Sequence, residues 1–312
     1  QMSTGCEIRF VTNADAVLIA LSSLEIDGEV LVYQGDYFHS QHILRAGSVE
    51  TLLLQRSERF DWIEEERLRS GRFSPDVWRI MISRSYGAGQ GFCAVFHYVD
   101  AFGHDVRPPR KDEMPTVSWL AYGSSITHGS GALSHHSAYI QQAAMRLGVD
   151  VLNKGLGGAC LCEPEVADWL PGCADWSFAT LEIGVNMRER FTPLEFEERA
   201  RYLITQMVRV HPDKPVVLIT IYPNHATYNR DRTHPARLAV EQFNEILRSL
   251  HAEFDYPGLH LIEGHDIADE WEGLTTDLIH PSDRGHCMMG LKLAAKLEEI
   301  VPHDIRFGER KE

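Results

Sequence analysis

Along the first third of the chain, apolar and polar positions alternate in short runs rich in Val, Ile, Phe and Tyr. Such runs fall at residues 7–11, 16–21, 29–33, 77–82 and 91–99, separated by Asp-Gly, Gly-Asp and Gly-Ala-Gly punctuation. Short β-rich runs spaced by turn residues predict a β-sandwich. Asp27-Gly28 lies between two of the runs, and both residues tolerate the positive φ of a type I′ turn, so a hairpin is expected there. Residues 57–70 resist a single assignment. They carry Glu64, Glu65 and Glu66 beside Trp62, Ile63 and Leu68, a pattern that fits a helix or a charged loop.

Residues 106–115 hold three prolines and five charges with little to bury, the composition of an interdomain connection. A boundary near Asp112 divides the chain into residues 1–112 and 113–312. Beyond it the pattern changes. Apolar runs at 117–122, 149–153, 178–183, 216–221 and 259–262 alternate with helix-period stretches at 138–147, 193–210, 235–253 and 285–300. Five strands alternating with helices predict a parallel sheet covered on both faces. Thr192-Pro193 with Glu195 following is a helix start, since Thr caps and proline at the first helical position gives up no needed N–H.

The 312 residues, 44% of them hydrophobic, contain no apolar run of about 18 or more, so no membrane span is expected. Acidic residues outnumber basic ones 45 to 30, and a formal charge of -15 opposes nucleic-acid binding. Residues 1–112 hold 16 acidic and 12 basic groups, net -4, leaving 29 and 18, net -11, for the rest. The first residues lack the basic and apolar regions of a secretory signal. The cysteines at 6, 93, 160, 162, 173 and 287 make no paired zinc spacing, and Cys160-Leu-Cys162 is one residue short of C-x-x-C. Reduced thiols in a cytoplasm follow as the expectation. No repeat or low-complexity tract is present.

In an open α/β sheet, ligands bind beyond the carboxyl ends of the strands. The first of these strands runs into Gly123-Ser124-Ser125-Ile126-Thr127-His128-Gly129, a small-residue turn able to present a serine Oγ with backbone N–H groups beside it. It is not the G-x-S-x-G elbow of α/β-hydrolases. The second runs into Asn153-Lys154-Gly155-Leu156-Gly157-Gly158, whose glycines let backbone N–H groups approach an oxyanion or a phosphate. The nucleotide-loop patterns are absent. The third ends in Glu182-Ile183-Gly184-Val185-Asn186-Met187, where an asparagine amide can donate to a developing oxyanion or simply serve the turn. Near the C-terminus, Asp277-Leu278-Ile279-His280 places a carboxylate three residues before a histidine, enough to fix the ring tautomer and leave Nε2 as a base.

Together these four segments resemble the four sequence blocks of the SGNH, or GDSL, hydrolase superfamily, in order and over residues 117 to about 300. The resemblance implies a flavodoxin-like three-layer α/β/α domain bearing a serine esterase site without cofactor. Position by position, Ser125 resembles the nucleophile and, through its backbone N–H, the first oxyanion donor. Gly158 and Asn186 resemble the second and third donors. Asp277 and His280 resemble the acid and base. Two positions depart from the pattern. Ser124 stands where the signature has aspartate, and Met187 where an aspartate commonly follows the asparagine, so the hydrogen bonding around these loops must differ.

A β-sandwich, jelly-roll-like, ahead of such a domain is similar to two-domain carbohydrate esterases that remove acetyl groups from sugars, which implies short acyl esters of carbohydrates as substrates. Related architectures include acyltransferases, and a non-catalytic carbohydrate-binding protein is a further alternative. Residues 222–232, polar and aromatic, follow the fourth strand and could overhang the site or be a solvated loop. Trp169, Trp176 and Trp271 lie near strand ends, where stacking on a sugar competes with core packing. His128, His135 and His136 lack the companion carboxylates of a metal site, so no metal is expected. The oligomeric state is open.

Overall fold

The computed structural model describes residues 3–87 and 93–301. These form two compact units. The first takes in the described residues up to Thr116 together with Ser134–His136; the second takes in Val117–Leu133 and the described residues from Ser137 onward.

The first unit is a sandwich of two antiparallel sheets. Its strands are β1 (Glu7–Val11), β2 (Ala16–Ser23), β3 (Gly28–Gln34), β4 (Tyr37–Leu44), β5 (Val49–Gln55), β6 (Val77–Ser85) and β7 (Ala94–Asp100). One sheet has the order β1-β6-β3-β4 and the other β5-β2-β7. Alternate residues face inward, as the period of a strand requires. Val17, Ile19 and Leu21 of β2 meet Val30 and Val32 of β3 and Trp78, Ile80 and Ile82 of β6 in one core. The predicted run at 91–99 begins outside the described residues.

Two strands were not foreseen, and both are edges. β4 buries only Leu44, and β5 buries only Leu52 and Leu54. The expected Asp27-Gly28 hairpin is corrected: β2 and β3 belong to different sheets. Asp27 instead accepts the Ala46 N–H on Oδ1 at 2.8 Å and pairs with Arg45 at 3.2 Å. The tight hairpin joins β3 to β4, with Gly35 at φ 59°, a left-handed conformation that glycine adopts without strain. The ambiguous stretch resolves into a 3-10 turn, Glu58–Trp62, and one helical turn, α1 (Glu65–Leu68), neither burying a residue.

The second unit is a five-stranded parallel sheet between helices. Its strands are β8 (Ser118–Gly123), β9 (Asp150–Gly155), β10 (Phe178–Glu182), β11 (Val216–Ile219) and β12 (Leu259–Ile262). Its helices are α2 (Ser125–His128), α3 (Tyr139–Leu147), α4 (Pro164–Trp169), α5 (Pro193–Val210), α6 (Pro235–Glu253), α7 (Gly264–Ile267) and α8 (Asp283–Ile300). The spatial order β9-β8-β10-β11-β12 is the flavodoxin-like one. Strand residues are shared between two cores. Leu120, Leu181 and Leu218 pack on one face with Phe196 and Leu203 of α5 and Phe243 of α6. Trp119, Phe178, Val217 and Ile219 pack on the other with Ile140 of α3 and Leu293 of α8. Thr192 caps α5 as expected, accepting the Glu195 N–H while Glu195 returns a bond to the Thr192 N–H.

Because β8 sits between β9 and β10, the chain leaves β8 at the point where strand order reverses. In an open α/β sheet that reversal is where ligands bind, and Ser125 follows the carboxyl end of β8 there.

Candidate active site

Ser125 is the first residue of α2, so its N–H has no intrahelical partner and is free to donate. Ser124 is the N-cap, its Oγ accepting the Ile126 N–H at 3.1 Å. Asn153, at the end of β9, donates from Nδ2 to the Thr127 carbonyl at 2.8 Å and ties the far end of the same short helix. A Cβ on Gly155 would collide with the His128 backbone, so β9 can approach α2 only as glycine.

Ser125 Oγ lies 2.8 Å from His280 Nε2. His280 Nδ1 lies 2.7 Å from Asp277 Oδ2. The Asp277 turn is built to aim both groups. Its Oδ1 accepts from Thr275 Oγ1 at 2.8 Å, from Ile279 N at 2.9 Å and from His280 N at 3.0 Å. Leu278 takes φ 57°, unusual for a residue with a branched side chain, and its carbonyl accepts the His225 N–H at 2.8 Å. Partial burial pushes the Asp277 carboxyl up, but the hydrogen bonds from His280, Ile279 and Thr275 outweigh it and hold the group well below the usual carboxylate range. An ionised Asp277 accepts the Nδ1 proton and leaves Nε2 a lone pair toward Ser125.

The glycine loop lies against the candidate nucleophile: a Cβ on Gly157 would stand 3.8 Å from Ser125 Cβ. Gly158 follows at φ 68°, and its carbonyl accepts Arg190 Nη1 at 3.3 Å. Asn186 Oδ1 accepts the Cys160 N–H at 3.2 Å. That bond fixes the amide orientation, with Nδ2 as the remaining donor. Gly184, at φ 110°, makes the turn that carries Asn186 past the strand end. Met187, at the second departure from the family pattern, is fully buried in the apolar core beside Phe196, where an aspartate would be desolvated.

The first departure has its own answer. Ser124 is fully buried, and both its N–H and its hydroxyl donate to Glu182 Oε2 at 2.7 Å. Thr127 Oγ1 donates to the same oxygen at 3.0 Å. Sequence reasoning passed over Glu182. The one signal for it was a carboxylate closing an otherwise apolar strand.

Of the tryptophans, Trp176 is buried and donates to the Pro171 carbonyl at 2.9 Å. Trp169 and Trp271 remain exposed. Trp271 meets Tyr228 edge to face, ring centroids 5.1 Å apart, and Tyr228 belongs to the polar-aromatic segment after β11. Among the described residues no group of three or more His, Cys, Asp and Glu is placed to hold a metal ion, and no helix is long and apolar enough to cross a membrane. All six cysteines are free, Cys160 and Cys162 being buried.

Comparison with solved structures shows the same fold over nearly the whole chain. A Bacteroides ovatus protein named as a GDSL-like lipase is 17% identical, with a TM-score of 0.66 over 96% of this chain and 85% of that one. A salicylyl-acyltransferase from a tetracycline biosynthetic pathway is 15% identical, with a TM-score of 0.70 over 96% and 85%. A family two carbohydrate esterase from Clostridium thermocellum, solved with cellohexaose, is 14% identical, with a TM-score of 0.66 over 96% and 93%. No curated protein matches the sequence. The model of the GDSL-like lipase/acylhydrolase family matches residues 121–287, the span that holds Ser125, Gly158, Asn186, Asp277 and His280. More than half of the chain is covered by that match, and the chain belongs to the GDSL-like lipase/acylhydrolase family.

Proposed function

We propose that the chain is a serine esterase that removes short acyl groups, acetyl above all, from carbohydrates. The observation that carries the reading is the unbroken line from Ser125 Oγ through His280 to Asp277, with hydrogen bonds of 2.8 and 2.7 Å. His280 Nε2 takes the Ser125 proton as Oγ attacks the ester carbonyl. The carbonyl electrons move onto oxygen, where the N–H groups of Ser125 and Gly158 and the Asn186 amide receive the charge. The C–O bond to the alcohol then breaks, and the alcohol leaves with the proton from His280. Water attacks the acyl-serine, giving a proton to His280, which returns it to Ser125 Oγ as the acid departs.

The carbohydrate part of the reading draws support from the exposed Tyr228–Trp271 pair. His225, three residues before Tyr228, bonds the Leu278 carbonyl, so the aromatic segment is anchored to the acid–base turn. Sugar faces stack on such rings while hydroxyls meet polar neighbours. The fold shared with a carbohydrate esterase agrees. A net charge of -11 on residues 113–312 favours neutral esters over anionic ones. A screen of p-nitrophenyl esters of about two to sixteen carbons, with acetylated xylose and xylan, tests the reading. It predicts the highest kcat/KM for acetyl esters, abolished by Ser125→Ala; a preference for long chains overturns it.

Transfer of the acyl group to an acceptor other than water is the second reading, favoured by the fold shared with the salicylyl-acyltransferase. It uses the same residues. Partition of the acyl-enzyme between water and an added alcohol separates the two.

A further inference from the structure

Glu182 is a buried carboxylate that the acyl-transfer steps do not use. It closes β10, the central strand of the parallel sheet, and only 1% of it is exposed. Among the described residues no cation is hydrogen-bonded to it. Its Oε2 instead takes three donors, all from the turn that carries the nucleophile: Ser124 N and Oγ at 2.7 Å and Thr127 Oγ1 at 3.0 Å. Behind Thr127 stands a file of hydroxyls, Tyr139 at 3.0 Å from Thr127 Oγ1 and Tyr222 at 3.3 Å from Tyr139. The file can be oriented as a single run of donors ending on Oε2. The other oxygen, Oε1, is buried without a partner. Burial pushes the Glu182 carboxyl up, and the hydrogen bonds from Ser124 and Thr127 to Oε2 offset only part of that rise. A buried carboxyl with one oxygen unpaired costs stability, which points to a function more than to packing.

We propose that Glu182 is a positioning residue for Ser125: it supplies from the neighbouring strand the carboxylate absent at position 124. The inference rests on the esterase reading for its kinetic consequence. Ser124 and Thr127 flank Ser125 on both sides, so clamping them fixes the start of α2. That in turn fixes the direction of Ser125 Oγ toward His280 and of the Ser125 N–H toward the oxyanion. Gly123 completes the fit, since a Cβ there would collide with Thr127 Oγ1 and Glu182 Oε2. The clamp touches no substrate. Its loss therefore appears in kcat with KM nearly unchanged.

The test uses the full chain with Glu182→Ala, Glu182→Gln and the relocation double variant Ser124→Asp/Glu182→Ala. For each, kcat and KM are measured on p-nitrophenyl acetate, along with hydrogen exchange in the peptide spanning the α2 turn. A nucleophile displaced by up to about 1 Å costs up to about 100-fold. We expect kcat down by about 10- to 100-fold in Glu182→Ala, less in Glu182→Gln, with KM within about twofold and faster exchange in the turn. Moving the carboxylate to position 124 should recover at least about tenfold of the lost kcat and restore protection. Wild-type kcat in a folded Glu182→Ala, or a double variant that regains melting temperature but no kcat, overturns the proposal. Should Glu182→Ala fail to fold, Glu182→Gln decides it by the same kcat comparison. If the parent protein hydrolyses no ester, the esterase reading has failed; the exchange data then judge the clamp alone, and unchanged protection in the turn refutes it.

Discussion

Replacing Asp277 by asparagine changes one atom of the site and has a consequence fixed by the local hydrogen bonds. Oδ1 is held by three donors, Thr275 Oγ1, Ile279 N and His280 N, at 2.8, 2.9 and 3.0 Å. Only Oδ2 faces the imidazole, at 2.7 Å from Nδ1. The asparagine oxygen will settle where three donors converge, and its NH2 group then takes the place of Oδ2. An N–H in that position donates to Nδ1 and drives the ring proton to Nε2, facing Ser125 Oγ. The serine loses its proton acceptor. In a serine triad this exchange of tautomers costs about 10,000-fold in turnover, or about 5 kcal/mol of barrier. Three of the four bonds survive, so the melting temperature stays near that of the parent. Steady-state hydrolysis of p-nitrophenyl acetate reads the loss in kcat. Asp277→Ala, which removes the misplaced donor as well, should be no worse than Asp277→Asn. A folded Asp277→Asn protein with kcat within tenfold of the parent would refute the assignment of Asp277.

Asn186→Ala removes a proposed oxyanion donor and leaves the Cys160 N–H without its partner; kcat should fall about 100- to 1,000-fold with KM little altered, and a loss confined to KM would contradict the role. On the acid side activity should fall as His280 takes a proton and can no longer accept one from Ser125. Asp277 stays ionised through that range, its carboxyl being held well below the ordinary one, so the acid limb has a single proton's slope. A rate flat between about pH 4 and 9 would contradict this. In the sandwich, burial pushes the Glu7 carboxyl up, but the charges of Arg79 and Arg9 and their hydrogen bonds bring it down from 4.5 to about 2. A carboxyl lowered on folding adds stability above its unfolded value, and that stability is lost as pH falls through the folded one. The shift amounts to about 3 kcal/mol. Glu7→Gln should lower unfolding free energy by that amount at neutral pH, the gap closing as pH falls toward about 2; a gap independent of pH would count against the ion pair.

The parallel sheet was legible because its strands are buried on both faces: every residue of β10 and β11 is buried, so β11 reads as an unbroken apolar run and β10 as a mostly apolar one. The long helices were legible through their helical period and, for α5, the Thr192 cap, whose side chain accepts the N–H three residues on; the Ser282 cap of α8 was not read, and that helix begins at Asp283 rather than near Gly285. Edge strands β4 and β5 expose apolar side chains such as Phe38, Ile43, Val49 and Leu53 beside polar ones, so burial leaves no clean period in their sequence. The Asp27-Gly28 turn failed for a different reason. Turn chemistry is local, whereas which strand a segment pairs with depends on the rest of the sheet.

In the site, the placement of Ser125, Asp277 and His280 could be read because each ends a recognisable strand or precedes a recognisable helix. The clamp could not. Glu182 reaches Ser124 across 58 residues of sequence, and Tyr139 and Tyr222 reach Thr127 only through the fold. What the departures from the family pattern meant was likewise hidden. Ser124 works with a carboxylate from the neighbouring strand that Thr127 shares, while Met187 has joined the core.

The most direct measurement is covalent labelling by a fluorophosphonate, with the modified peptide identified by mass spectrometry. The account predicts one label per chain, on Ser125, lost in Ser125→Ala and strongly slowed in His280→Ala. No label, or a label on another serine with ester hydrolysis intact in Ser125→Ala, would contradict it.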